Sequence, residues 1–220
     1  MREHCVFVTG ATGYIGRALI AELLARGHAV RALARRSSLH RVPPGATIVE
    51  GDALNAATFA HGIAPADTFV HLVGTPHPNP LKSASFRSVD LRSVEAAVVA
   101  AKSAGIAHFV YLSVAQPAPV MRAYIEVRQA GEAMIRASGI PATILRPWYV
   151  LGPGHRWPYV LLPAYALLER IPATREFALR LGMISLSQML TALIECIEAE
   201  ADAVRVLDVR AIRNTRPNVE

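Results

Sequence analysis

Short apolar runs alternate with amphipathic stretches over the first two thirds of this chain. The runs His4–Val8, Ala29–Ala34, Thr47–Glu50, Thr68–Val73, Ala107–Leu112 and Pro141–Leu145 are dominated by Val, Ile, Leu, Phe and Ala. Their length and β-branched or aromatic content predict six buried strands. Between them, Tyr14–Arg26, Ala84–Ala104 and Val120–Ala137 carry apolar residues at helical spacing, and Asn55–Ala60 reads as a shorter helix. In Ala84–Ala104 the apolar stripe is Phe86, Val89, Val94, Ala97, Val98 and Ala101, and Gly105 is the stop. Gly27-His28 and Ser138-Gly139 end the other two long helices. Strands that alternate with helices imply an α/β fold with a doubly wound parallel sheet.

The rhythm loosens after Pro147. Gly152-Pro153-Gly154 predicts a turn, Tyr159–Glu169 and Leu186–Glu198 predict helices, and Val204–Val209 a last strand before a loose polar tail after Ile212. Residues 1–220 are expected to form one domain, with 147–200 contributing a small substrate-facing cap. Ligands of such sheets bind beyond the carboxyl ends of the strands, which is where that cap would lie.

Composition narrows the class. A chain of 220 residues with 52% hydrophobic content can bury one sizeable core. Mean hydropathy of +0.30 leaves apolar surface for an interface or an apolar ligand. The first residues read as a strand rather than a leader, and the apolar stretch Trp157–Leu168, broken by Pro163, is too short to span a bilayer. Cys5 and Cys196 have no metal-ligand spacing and read as reduced thiols of a cytoplasmic protein. The net charge is +6, carried almost wholly by arginine; Lys82 and Lys102 are the only lysines. No basic run exceeds Arg35-Arg36 and aromatics are 6%, so nucleic acid is not the expected partner. A small anionic cofactor accounts for part of the positive balance.

The turn after the first strand carries the chemistry. It reads Thr9-Gly10-Ala11-Thr12-Gly13-Tyr14-Ile15-Gly16. Glycines in this G-x-x-G-x-x-G spacing, between a strand and a helix, allow a tight turn, close approach to phosphate and close helix–strand packing. Gly10, Thr12, Gly13, Tyr14, Ile15 and Gly16 are therefore the expected cradle for a dinucleotide diphosphate at the helix N-terminus. An acid some twenty residues on would select NAD by binding a ribose hydroxyl. The second strand instead ends Leu33-Ala34-Arg35-Arg36-Ser37-Ser38. Arg35, helped by Arg36 or Arg17, suits the 2′-phosphate of NADP through planar, charge-assisted hydrogen bonds. NADP is the expected cofactor and NAD the alternative; a pair of ordinary solvated arginines is the plainer reading of the same residues.

These residues, together with Gly51-Asp52, Leu72-Val73-Gly74, Tyr124-x-x-x-Arg128 and Arg146-Pro147, resemble the extended and atypical short-chain dehydrogenase/reductases, in their epimerase-like and NmrA-like branches. The likeness covers most of the chain to roughly residue 155 and implies a Rossmann fold. It implies that Asp52, with Ala53, meets the adenine amino group, that Val73 and Gly74 lie against the adenosine ribose, and that Pro147 packs by the nicotinamide. Asp52 is also read as a turn or cap residue, Gly74 as a loop glycine and Pro147 as a strand-ending proline.

In the catalytic members of that superfamily a tyrosine protonates the substrate oxygen, a lysine four residues on favours its phenolate, and a serine after the fifth strand binds substrate. Here the expected acid is Tyr124, the cation is Arg128, and the serine is Ser113, followed by Val114 where the resemblance calls for a second serine. Tyr124 and Arg128, four apart, share a helix face. Arginine keeps the charge but not the shape or proton mobility of lysine. A core or dimer-surface tyrosine is the rival reading, since Val120, Tyr124, Val127, Gly131 and Met134 form an apolar stripe. His71 is expected to be satisfied in the core, and His77 and His155 to lie on loops at the cleft mouth.

Two functions follow. The first is NAD(P)-dependent reduction or oxidation of a small, fairly apolar carbonyl or alcohol. The second is a non-catalytic NADP-binding redox sensor or assembly protein, suggested by Val114 and Arg128. An epimerase is disfavoured by the short C-terminal part. The two long helices offer the surface through which related proteins dimerise.

Overall fold

A computed structural model describes residues 2–75, 83–153, 165, 167, 168 and 170–215. Strands β1 (Cys5–Thr9), β2 (Ala29–Ala34), β3 (Thr47–Glu50), β4 (Thr68–His71), β5 (His108–Leu112) and β6 (Ala142–Leu145) form one sheet, which β9 (Val204–Leu207) completes. All neighbours are parallel, in the order β3-β2-β1-β4-β5-β6-β9. The order reverses between β1 and β4, the point at which sheets of this kind bind ligands beyond the strand ends. The separate strands β7 (Tyr149–Leu151) and β8 (Met183–Ser185) pair with each other, also in parallel.

Alternation of side chains sorts the core into two layers. Val6, Val8, Val70 and Val110 face α1 (Tyr14–Ala25) and α5 (Leu186–Glu198), with Leu19, Ile20, Leu193 and Ile197 fully buried among them. Phe7, Phe69, Phe109 and Tyr111 face the other way, toward α2 (Arg92–Ser103) and α3 (Arg122–Ser138). There the rings of Phe7 and Phe69, and of Phe69 and Phe109, lie 5.1 Å apart. Two short helices, α4 (Pro172–Arg180) and α6 (Val209–Asn214), close the C-terminal part.

Several elements depart from the sequence-based expectation, each for a local reason. Asn55–Ala60 resolves into two 3-10 turns, Ala56–Thr58 and Ala60–Gly62. The long helix expected over 84–104 contains a π turn, Phe86–Leu91, before α2. The helix expected from Val120 starts at Arg122, because Met121 adopts a left-handed φ of 60° and Val120 is exposed. The last strand stops at Leu207, where Asp208 caps α6 by accepting from the Ala211 N–H at 2.8 Å. Leu186–Glu198 lies in the flanking layer against α1, because its apolar face is continuous with the valine core. It starts with a capping box between Ser185 and Gln188. Most of the helix expected over 159–169, and both His77 and His155, lie outside the described residues. No helix among the described residues is long and apolar enough to cross a membrane.

Candidate functional site

The glycine turn is shaped by backbone contact. Gly10 has a left-handed φ of 73°, and a Cβ there would lie 2.8 Å from the Leu72 carbonyl carbon, at the end of β4. A side chain at that position would therefore wedge β1 and β4 apart at the mouth of the crevice. A Cβ on Gly16 would strike the Gly10 carbonyl oxygen, so α1 approaches the turn only because that residue is glycine. The Gly13 N–H donates to that same oxygen at 3.0 Å and closes the turn. No acidic side chain occupies the first turn of α1. Its leading N–H groups and positive dipole end thus face the crevice without a competing anion. Thr12, Tyr14 and Ile15 are half-buried around it.

Around the adenosine side, Arg35 and Arg36 are both exposed just past β2, where a 3-10 turn, Arg36–Arg41, begins. Among the described residues neither takes part in an ion pair. Asp52 is exposed past β3; its Oδ1 accepts from the Leu54 N–H at 3.1 Å, so it closes a turn. Ala53 packs on the phenylalanine layer.

The other half of the crevice is built on charge. Arg128, on α3, is 4% exposed. One terminal nitrogen of its guanidinium donates to the carbonyls of Val73 (3.4 Å) and Leu112 (3.1 Å) and to the Tyr111 hydroxyl (3.3 Å). The other lies 2.6 Å from Oδ1 of Asp90, which is fully buried in the π turn. Thr75 holds that carboxylate from the far side, by its N–H (3.1 Å) and its hydroxyl (2.5 Å). Gly74 is the floor under the guanidinium, which a Cβ there would strike. Burial alone would pull the Arg128 pKa down, but Tyr124, Tyr111 and Asp90 together hold it above the ordinary value, so the group is a fixed cation. Among the described residues its buried Nε–H has no partner. An unpaired buried donor is costly.

Tyr124 is half-exposed. The centroid of the Phe86 ring lies 5.0 Å from its own, and the Arg128 guanidinium carbon 5.1 Å from it. The cation meets the ring face, a contact worth about 1 kcal/mol. Among the described residues the Tyr124 hydroxyl makes no hydrogen bond, which leaves it to meet a ligand.

Ser113 is placed differently from the role the resemblance implies. Its hydroxyl donates to Oε1 of Glu132 at 2.6 Å. The same buried carboxylate accepts from Gln116 Nε2 (2.8 Å), from Arg146 Nε (2.9 Å) and, at Oε2, from an Arg146 terminal nitrogen (2.5 Å). The serine proton is thus committed to that carboxylate. Val114 beside it is buried and apolar. Pro147, next to Arg146, is buried; its carbonyl accepts from the Ala115 N–H at 2.8 Å and joins the chain after β6 to the chain after β5.

His71, at the end of β4, is satisfied in the core as expected: Nδ1 pairs with Thr9 Oγ1 (2.8 Å) and Nε2 with Ser93 Oγ (3.2 Å). Burial, with Arg128 adding to it, lowers its pKa to about 3. Burial also raises the Tyr111 phenol. The sequence reading thus placed Gly10, Gly16, Gly74, Tyr124 and Arg128 at one sheet edge, while Asp90, Thr75, Glu132 and Arg146 as a charge partner escaped it. The buried arginine on α3 was the one available signal, since it demands a counter-ion.

A seven-stranded parallel sheet with this glycine turn at its switch point defines a protein with the dinucleotide-binding Rossmann fold. More closely, residues 10–162 match the family described as NAD(P)H-binding, and the chain belongs to it. It is similar to a ceramide reductase of Caulobacter vibrioides, 29% identical over 93% of this chain and 65% of that protein. It is also similar to a 3-beta-hydroxysteroid dehydrogenase of Mycolicibacterium neoaurum, 34% identical over 48% of this chain and 31% of that protein. The chain thus spans less than two thirds of these relatives' length. The fold matches that of the Bordetella bronchiseptica enzyme WbmH in complex with NAD+, with TM-score 0.71 and 19% identity over 94% of this chain and 76% of that one.

Proposed function

We propose that this chain is an NADPH-dependent oxidoreductase that interconverts a carbonyl and an alcohol on an apolar substrate. The observation that carries the reading is the convergence, at one switch point, of the Gly10–Gly16 turn with a half-exposed Tyr124 and a buried arginine bearing an unpaired N–H. These residues fit the cofactor: the turn for the diphosphate, the Arg128 Nε–H for an oxygen of the nicotinamide half, and Arg35 for a 2′-phosphate. A bound nicotinamide supplies hydride. The chain's own part is to orient it against Pro147 and to hold a proton on Tyr124 for the substrate oxygen. With the Ser113 proton held by Glu132, Tyr124 is the side chain assigned to donate there.

Apolar residues follow β5 and β6, with Val114, Ala115, Trp148 and Val150 in or against the core. The two relatives act, by name, on a ceramide and a steroid, which supports a lipophilic substrate. It also favours an enzyme over a non-catalytic carrier. Both cysteines are free thiols, in keeping with a reducing cytoplasm.

The test is thermal denaturation with NAD, NADH, NADP and NADPH, followed by turnover on long-chain ketones and ketosteroids. A ligand at about a hundred times its Kd stabilises by about 2.7 kcal/mol. NADPH is expected to shift the midpoint most. No shift with any of the four would refute the reading; binding without turnover on any such ketone would favour the carrier.

A further inference from the structure

We propose that Asp90 is a positioning residue for the nicotinamide half of the cofactor, acting through Arg128; this rests on the reading of the crevice as an NAD(P)H site. Asp90 sits in the π turn Phe86–Leu91 and is fully buried. Such a turn holds one residue more than the same arc of α-helix, and π turns gather at functional sites. Here the π turn brings a carboxylate to the carboxyl edge of β4 and β5.

The carboxylate is clamped from two sides, by the Thr75 N–H and hydroxyl and by the Arg128 guanidinium. Its partner is clamped in turn. One Arg128 terminal nitrogen is used on Val73, Leu112 and Tyr111, the other on Asp90. With both ends fixed and Gly74 beneath, the planar group cannot rotate about its long axis. Among the described residues, Nε is then the guanidinium nitrogen that is buried and without a partner. Arg26 and Arg180 also carry buried Nε donors without a partner among the described residues; what sets the Arg128 donor apart is its place beside Gly74 and Tyr124 at the carboxyl edge of the sheet. Its persistence at the ligand edge of the sheet points to an oxygen supplied by the cofactor. Asp90 is thus what keeps Arg128 presenting Nε instead of turning a terminal nitrogen outward. It also keeps the guanidinium over the Tyr124 ring.

The experiment compares two probes on the purified full chain, NADPH and 2′,5′-ADP, which lacks the nicotinamide riboside. Wild type is expected to bind both. In Asp90→Asn the NADPH Kd is expected to rise about tenfold or more, the scale of one charge-assisted hydrogen bond, while the 2′,5′-ADP Kd stays within about twofold. Thr75→Val keeps the volume and both charges and removes one clamp, which supplies a second variant should Asp90→Asn fail to fold; it is expected to shift NADPH in the same direction by a few-fold. An unchanged NADPH Kd in Thr75→Val and in folded Asp90→Asn overturns the proposal. So does a parallel loss of both probes, which marks general collapse of the crevice. Wild type that binds 2′,5′-ADP with no gain from the nicotinamide half overturns it while sparing the adenosine site; wild type that binds neither removes the cofactor reading and Asp90's role with it.

Discussion

Replacing Glu132 with alanine isolates the second charge hub. Glu132 is 4% exposed and accepts from Ser113, Gln116 and Arg146. Removing one partner of a buried ion pair costs about 3–5 kcal/mol, because the other charge is left without compensation. The Arg146 side chain is 26% exposed and can turn partly to water, so the low end of that range applies, about 3 kcal/mol. The Ser113 hydroxyl, 5% exposed, cannot follow it out and adds about 1 kcal/mol as an unsatisfied donor. The sum is about 4 kcal/mol, or a midpoint lowered by about 8–16 °C for a chain of this size. Glu132→Gln keeps one carbonyl acceptor and loses the charge, so it should cost about half as much. Urea and thermal unfolding followed by circular dichroism, without nucleotide, measure both. A Glu132→Ala loss below about 1 kcal/mol would show that the hub is not a buried ion pair in solution, and would return the Ser113 proton to the substrate side.

Arg35→Ala should weaken NADPH about tenfold by removing an exposed, charge-assisted contact and leave NADH within about twofold; fluorescence titration that finds the NADPH-to-NADH ratio unchanged assigns the 2′-phosphate to another group. Acid should destabilise the fold early. Burial, with Arg128 adding to it, lowers His71 to about 3, and burial, with Arg205 adding to it, lowers His108 to about 4, from an ordinary 6.5. The unfolded chain therefore binds protons that the native state refuses, and stability falls as pH drops from about 6.5 toward those lowered values. Each histidine should remove about 2 kcal/mol between about pH 7 and about pH 5, seen as a lower urea midpoint. A midpoint that stays flat over that window would mean that both rings charge freely in the folded protein.

How much of this was legible in the sequence divides along a physical line. The strands were readable because Val and Phe runs of strand length have few other uses. The glycine turn was readable because its demand is local: Gly10 needs a left-handed φ and Gly16 needs contact with its own turn. Elements failed where the controlling event is one residue wide. An extra residue in the turn Phe86–Leu91 leaves the apolar stripe nearly intact, so a periodicity of 3.6 passes over it. Leu72 and Val73 extend the apolar run past His71, but the Val73 carbonyl is taken by Arg128, and no strand continues through it. Pro172 at the start of α4 and Asp208 as the cap of α6 were signals present in the sequence and passed over.

The site's charges were illegible for a different reason. Arg128 and Glu132 stand four apart on α3, the spacing at which opposite charges ordinarily pair with each other. On an exposed helix that pairing would be the sound inference. Here both are buried, and each reaches away from the other, Arg128 to Asp90 and Glu132 to Arg146. The sheet explains the choice. Where parallel strands end, carbonyls run past the last ladder bond and must find donors if they are buried. Val73 and Leu112 are two such carbonyls, and the guanidinium of Arg128 serves both from one position. A lysine ammonium, with three donors and no planar spread, would not bridge them and Asp90 in the same way. The departure from the lysine that the resemblance implies therefore comes with its own counter-ion and its own carbonyl partners, three elements that sequence spacing cannot bring together and the fold does.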